Sequence, residues 1–298
     1  MTRIRRIDAD KTKKSVKTRV IRAFRVQSFR FMRFLTTFAG QIGRQTIYFL
    51  VHLDRVVRLG VETLWWTTIA PFKGKGLRWR SAIEQMVRIG FDSVPIVCTI
   101  LFFVGLIMAM QSAYQLERFG ATIFVADLVA VSIIRELGPL LTAIIIAGRS
   151  GSGIAAEIGS MKVAEEIDAL KTMGLNPINY LVVPRTLAMV IVLPCLTLLG
   201  DLVGIVGGYL IGVTTLDISP IRYYTQTANA LVIKDFTTSL VKTVFFAMII
   251  ASIGCYQGFI VEGGAEGVGK STTSSVVVSI FLIIAADVFF TALFYSTF

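Results

Sequence analysis

The sequence has 298 residues, of which 54% are hydrophobic and only 16% charged, against about a quarter charged in an ordinary soluble domain. Mean hydropathy is +0.72 and net charge +11. This balance argues against a soluble enzyme. It also argues against a nucleic-acid-binding module, because 20 of the 30 Lys and Arg precede residue 94 and no recognition motif accompanies them.

Residues 1–33 form a basic tail, from Arg3 to Arg33, suited to lying on anionic lipid. No apolar core with a small-residue cleavage site follows closely, so a secretory signal is not expected. Residues 34–70 are apolar but broken by Arg44, His52, Asp54, Arg55, Arg58 and Glu62. Charges at that density are costly in a lipid-facing span. The segment therefore reads as one or two interfacial helices, with Trp65 and Trp66 at the headgroups. His52 is the only histidine and offers no metal cluster. Pro71 to Gly76 is a turn. Residues 80–92 then read as a short amphipathic helix with Ile83, Met86, Val87, Gly90 and Phe91 on one face.

Five apolar runs follow, at about 94–114, 123–148, 185–213, 239–261 and 272–298, each long enough to cross a bilayer. The expected fold class is an all-α membrane protein: a tail (1–33), interfacial helices (34–93) and a five-span domain (94–298). Lys and Arg concentrate before the first span and in the 149–184 connection. The positive-inside rule puts both in the cytoplasm, and an odd number of spans puts Phe298 on the other side. Cys98, Cys195 and Cys255 are scattered in apolar runs and read as core residues, neither a disulfide framework nor a metal site.

The most informative stretch is 135–185, RELGPLLTAIIIAGRSGSGIAAEIGSMKVAEEIDALKTMGLNPINYLVVPR. Its glycine-rich run, Gly148 to Gly153, is expected to end the second span. Ile154, Ile158 and Met161, and then Val163, Ile167 and Leu170, recur at helical spacing on an amphipathic segment. Gly174 and Pro177 supply the C-cap and stop. The charged positions Glu157, Lys162, Glu165, Glu166 and Asp168 form a handle for a partner outside the membrane.

Arg135 and Glu136 fall at the middle of the second span, where each charge costs at least ~2.5–3.5 kcal/mol. They are expected to face protein or a water-filled cavity. Pro139 frees a carbonyl one turn back. Asp201 and Asp287 are the other deep charges, while Asp127 and Lys242 read as near span ends, free to snorkel. Gly204, Gly207, Gly208 and Gly212 suit close helix approach. Residues 264–271, GAEGVGKS, satisfy the G-x-x-x-x-G-K-[ST] phosphate-loop pattern. No strand precedes them and no second carboxylate-bearing strand is left in the chain, so they read as a glycine-rich turn between the last two spans.

The 135–185 stretch closely resembles the signature of MlaE/YrbE-type permeases, the membrane subunits of MCE-associated ABC transporters. MQSAYQLERFGA (110–121), LVKTVFFAMIIASIGCYQG (240–258) and GGAEGVGKSTTSSVVVSIFLIIAADVFFTAL (263–293) resemble the family as well. The resemblance covers about 80–298 well and 34–79 loosely. It implies a homodimeric permease with no catalytic residue or cofactor of its own, whose ATP is bound by a partner subunit. It further implies a cytoplasmic ATPase dimer gripping the 149–184 connection and an MCE-domain lipid carrier on the outer face. The substrate would be phospholipid or a similar hydrophobic molecule, moved between a bacterial inner membrane and the outer envelope, with Arg135 and Glu136 as candidate head-group contacts. The competing reading is an ion-gradient-driven carrier or channel using Arg135, Glu136, Asp201 and Asp287 as a relay. No internal inverted repeat of the kind such carriers show is visible.

Overall fold

The structure, a computed structural model, describes residues 54–56, 58–63, 65–66 and 78–297. The basic tail, His52 and most of the expected interfacial segment lie outside these residues. The chain divides into two units, 1–57 and 58–298. Of the first, residues 54–56 are described and are helical. In the second, residues 58–63 are helical, and the Trp65 and Trp66 rings meet edge to face, 5.3 Å apart.

All regular elements among the described residues are helical, and five of the helices are long and apolar enough to cross a membrane. The first span, Trp79–Phe119, contains α1 (Trp79–Gly90), a 3-10 turn and α2 (Val94–Leu116), and it ends at left-handed Gly120. The second, Thr122–Val163, strings together α3 (Val125–Ser132), α4 (Gly138–Ile146) and α5 (Ser152–Val163) through two π turns, Ile133–Leu137 and Ala147–Gly151. After α6 (Glu166–Thr172) the third span runs Ile178–Thr214, mostly as α7 (Val183–Thr214). A short helix α8 (Pro220–Ala230) leads to α9 (Ile233–Phe259), the fourth span, and α10 (Gly264–Thr297) carries the fifth.

The amphipathic helix expected at 80–92 runs Trp79–Gly90 and leads into the first span through a single 3-10 turn. Ile83, Val87 and Phe91 share a face as expected, but that face is exposed, while Ala82 and Ile89 are buried. The helix runs on through the Gly148–Gly153 segment to Val163. Ala147, Ser150 and Gly151 are buried in a π turn, and a Cβ at Gly254 of the fourth span would sit 2.9 Å from the Gly151 carbonyl oxygen. Small residues here serve a close helix crossing, with the backbone still satisfied inside the helix. Finally, GAEGVGKS is the first two turns of α10, not a turn between spans. Lys270 pairs along the helix surface with Glu266 at 2.7 Å, so no loop of converging backbone N–H groups exists to hold phosphate.

In lipid, helices gain little from burying apolar area against each other, so close packing decides the association. The most extensive contact is α2 against α7. There a Cβ at Gly105 would overlap the backbone carbonyl of Gly204, and one at Gly207 the carbonyl of Phe102. The main core gathers Leu101, Ile146, Met189, Leu193, Phe246 and Ile250 from four spans. Phe103, Ile107, Leu202, Val206, Phe281 and Phe289 point outward, where lipid or another chain covers them. Gly105→Ala is expected to lower the thermal stability of the detergent-solubilised protein by ~1–3 kcal/mol through overpacking. Phe103→Leu, on the exposed side of the same helix, should leave it nearly unchanged.

Candidate functional site

The first π turn exists where Pro139 cannot donate a hydrogen bond to the Arg135 carbonyl. The donor that replaces it comes from another span: Lys242 Nζ of α9 donates to that carbonyl at 3.2 Å. The same ammonium meets Glu136 Oε2 at 2.7 Å and Asp287 Oδ1 at 3.0 Å, and donates to Thr291 Oγ1 at 2.8 Å. The Thr291 hydroxyl in turn donates to Glu136. Lys242 is 1% exposed. It does not snorkel; it ties the second, fourth and fifth spans together by charge.

Arg135 turns the other way. Its Nε donates to Asp235 Oδ1 at 2.6 Å. Asp235 also accepts from the backbone N–H of Val232 at 3.2 Å, holding the entry to α9. Because Asp235 is only two residues into α9, and the second span continues to Val163, Arg135 lies toward one end of the bundle rather than at mid-span. Adjacent helical residues point ~100° apart, which explains why Arg135 and Glu136 take different partners.

Together these residues line a cavity of about 570 Å³ with Arg135, Glu136, Lys242, Thr238, Thr291 and Phe294 on its wall. The Arg135 side chain remains 54% exposed and that of Glu136 39%, while Lys242 and Asp235 are closed behind them. The cavity thus presents the Arg135 guanidinium, the Lys234 ammonium and the Glu136 carboxylate, with buried Asp235 and Lys242 behind them. Asp201 joins none of these pairs. It is buried in α7 against Gly138, where a Cβ would overlap its carboxylate. Asp127 accepts instead from Gln226 of α8 at 2.7 Å. Among the described residues no group of three His, Cys, Asp or Glu is placed to hold a metal. Cys255 is buried as expected for a core residue, whereas Cys98 is half-buried and Cys195 is exposed.

The charged handle is divided by the structure. Glu157 is not turned outward: it pairs with buried Arg185 at 3.0 Å and with Arg88 at 3.5 Å, joining the first three spans. Arg185 also donates to the Leu181 carbonyl at 2.7 Å. Lys162 and Lys171 flank Asp168 at 3.5 and 2.8 Å. The Lys171 hydrogen bond, with the Lys162 charge, holds the Asp168 carboxyl below its ordinary value. Glu165 and Glu166 are exposed. Glu165 adopts φ 59, and this left-handed residue breaks the helical phase between α5 and α6. Ile167 and Leu170 are therefore buried while Val163, on the expected apolar face, is 44% exposed. With exposed Met173 and Leu175 it gives this turn an apolar surface that periodicity misses, because the phase break is invisible in the spacing.

The model of the "Permease MlaE" family matches residues 82–293. A "Probable ABC transporter permease protein" of Rickettsia prowazekii is 45% identical over 214 residues, 72% of this chain and 83% of its own. One of Synechocystis is 41% identical over 217 residues, 73% of this chain and 82% of its own. "Protein TRIGALACTOSYLDIACYLGLYCEROL 1, chloroplastic" of Arabidopsis thaliana is 36% identical over 224 residues, 75% of this chain and 64% of its own.

Removing Lys242 strands two carboxylates and a carbonyl in a low-dielectric interior, a loss of ~3–5 kcal/mol for a broken buried pair. Lys242→Met should therefore abolish accumulation of folded protein, read as the monodisperse fraction after extraction. Adding Glu136→Gln and Asp287→Asn to it should restore most of that fraction.

Proposed function

We propose that this chain, which belongs to the MlaE permease family, is the membrane subunit of an ABC transporter that moves phospholipid or a similar two-tailed molecule. A multi-pass membrane permease needs a path for its substrate, and the polar cavity among otherwise apolar spans is the observation that carries the lipid reading. A lipid requires an apolar surround for its chains and a few fixed polar groups for its head. Arg135 holds a phosphate through its guanidinium fork, and Glu136, held in place by Lys242 at 2.7 Å, orients the head or its partner. That one relative is named for trigalactosyldiacylglycerol, a diacylglycerol lipid, supports the same class of substrate.

In this reading the functional unit is a homodimer in a bacterial inner membrane. Its basic N-terminus and the α5–α6 region face the cytoplasm, and Phe298 faces the other side. An ATPase dimer grips α6 and the following turn, and an MCE-domain carrier meets the opposite face, where substrate passes to or from the outer envelope. Of the charged handle, Glu165 and Glu166 contact the ATPase, along with Val163, Met173 and Leu175. Lys162 and Asp168 shape α6 from beside that contact, and Glu157 braces it from within. A relay would need Asp201 to join the Glu136–Lys242–Asp287 group; it lies against Gly138, two residues from Glu136, but pairs with no basic side chain among the described residues.

Arg135→Met and Glu136→Gln should leave the dimer and its ATPase assembled but reduce photo-crosslinking of lipid to the cavity at least tenfold. Crosslinking at the unmodified level in both variants would overturn the head-group assignment. Charge reversal of Glu165 together with Glu166 should release the ATPase on affinity purification while the chain stays inserted. Retention of a full complement of ATPase would place the contact elsewhere.

A further inference from the structure

A second polar cavity lies near the other end of the bundle. It measures about 170 Å³, between α1 and the second π turn, and its polar wall is Gln85, Arg88, Asp92, Arg149, Ser150 and Glu157. Arg149 lies 14 residues beyond Arg135, ~21 Å along the same helix, so this cavity is separate from the first.

The wall carries two guanidinium groups and two carboxylates. Arg149 Nη2 stands 3.3 Å from Asp92, its Nη1 donates to Ser93 Oγ at 2.6 Å, and Arg88 reaches Glu157 at 3.5 Å. These pairs are not sealed. Their side chains stay between 35% and 66% exposed, so donors and acceptors of both signs still face the opening. Buried Arg185 holds the other Glu157 oxygen at 3.0 Å from behind the wall. A wall of both signs matches a small group carrying both, in which a phosphate meets the arginines and an ammonium meets Asp92 and the open side of Glu157. A volume worth about five water molecules suits one such group.

The helix that builds this wall also shows where the ligand comes from. At ~100° per residue α1 has three faces. Ala82, Met86 and Ile89 pack inward. Gln85, Arg88 and Asp92 line the cavity. Ile83, Val87 and Phe91, beside the cavity face, point outward at 55%, 60% and 77% exposure. The exposed Arg80–Glu84 pair, at 3.3 Å, shares this side near the start of the helix, so the face is interfacial, with apolar side chains toward acyl chains and charges in the headgroup layer where the cavity sits.

We propose that this cavity is a second lipid site, taking the zwitterionic phosphate–ammonium head of a phosphatidylethanolamine-type lipid from the adjoining leaflet before or after it occupies the Arg135 cavity. The inference rests on the lipid-transport reading above, and the experiment separates the two. The assembled complex is placed in vesicles containing phosphatidylethanolamine with a photoactivatable group near its head, and labelled peptides are mapped. Label is expected in 85–92 and 149–157 as well as around Arg135. Arg88→Met, and separately Gln85→Trp, which fills the cavity without removing a charge, should each cut label in 85–92 and 149–157 at least fivefold. Label around Arg135 should be unchanged in both. Phosphatidylglycerol carrying the same group should label this site at least threefold less.

Label around Arg135 alone, or wild-type label in both variants, overturns the second site and leaves the lipid reading intact. Label at neither place overturns both. Equal labelling by phosphatidylglycerol overturns the pairing of the ammonium with Asp92 and Glu157. Soluble glycerophosphoethanolamine that binds as tightly as the lipid overturns the membrane as the source.

Discussion

A lysine buried between carboxylates is the constraint on which this bundle depends. Lys242 cannot sit in an apolar interior uncompensated, and buried Asp287 cannot stay there without it, while Glu136 meets it from the open cavity side. Apolar side chains give three helices in lipid little reason to prefer one another. The ammonium supplies that preference because it bonds to a different span on each side. It also supplies the donor that Pro139 removed from the second span, so the irregular backbone is satisfied from outside its own helix. The π turn, the ion cluster and the cavity wall are one arrangement viewed from three sides.

The two ends of the second span use this chemistry differently. At the first π turn the charges are closed behind an open cavity. At the second the backbone crosses the fourth span closely at Gly151 and Gly254, and the charged side chains spread over α1 and α7 instead. Arg185 is the hinge of that spread. Nearly buried, it holds Glu157 with one arm and the Leu181 carbonyl with another, which ties the start of the third span to the end of the second. Glu157 belongs to the internal frame, while Glu165 and Glu166, one loop further, are presented to the outside.

Much of this was legible in the residues. Apolar run length gives the five spans, and the lone deep charges mark the second span as special, because lipid penalises them wherever they lie. Gly174, with φ 77, closes α6 just past its C-cap as glycine chemistry allows, whereas Pro177 starts the next helical segment rather than stopping this one. What the spacing hid was long-range. Lys242 looks like a span-end lysine until α9 is seen to begin at Ile233, which moves the residue two turns inward. The small-residue run at 148–153 looks like a break because glycine disfavours isolated helices, yet it stays helical, and at Gly151 the packed Ile250 leaves little room for a larger side chain. The GAEGVGKS pattern matched a motif whose meaning lies in the fold around it, and here that fold is a helix. Left-handed Glu165 shifted Val163 out of its expected face, which a fixed helical period does not anticipate.

The second span also has a mechanical meaning. Its 42 residues make a rod of ~63 Å, about twice the ~30 Å hydrocarbon thickness it crosses. Such a rod works as a lever with the bilayer as its fulcrum, and its two π turns divide it into three stiff arms. Arg135 sits in the first of these joints, and along the rod the second joint lies between it and the arm that ends at Val163. The close crossing at Gly151 then acts as a bearing, and a larger side chain there would stiffen the joint while leaving both ends of the rod chemically intact.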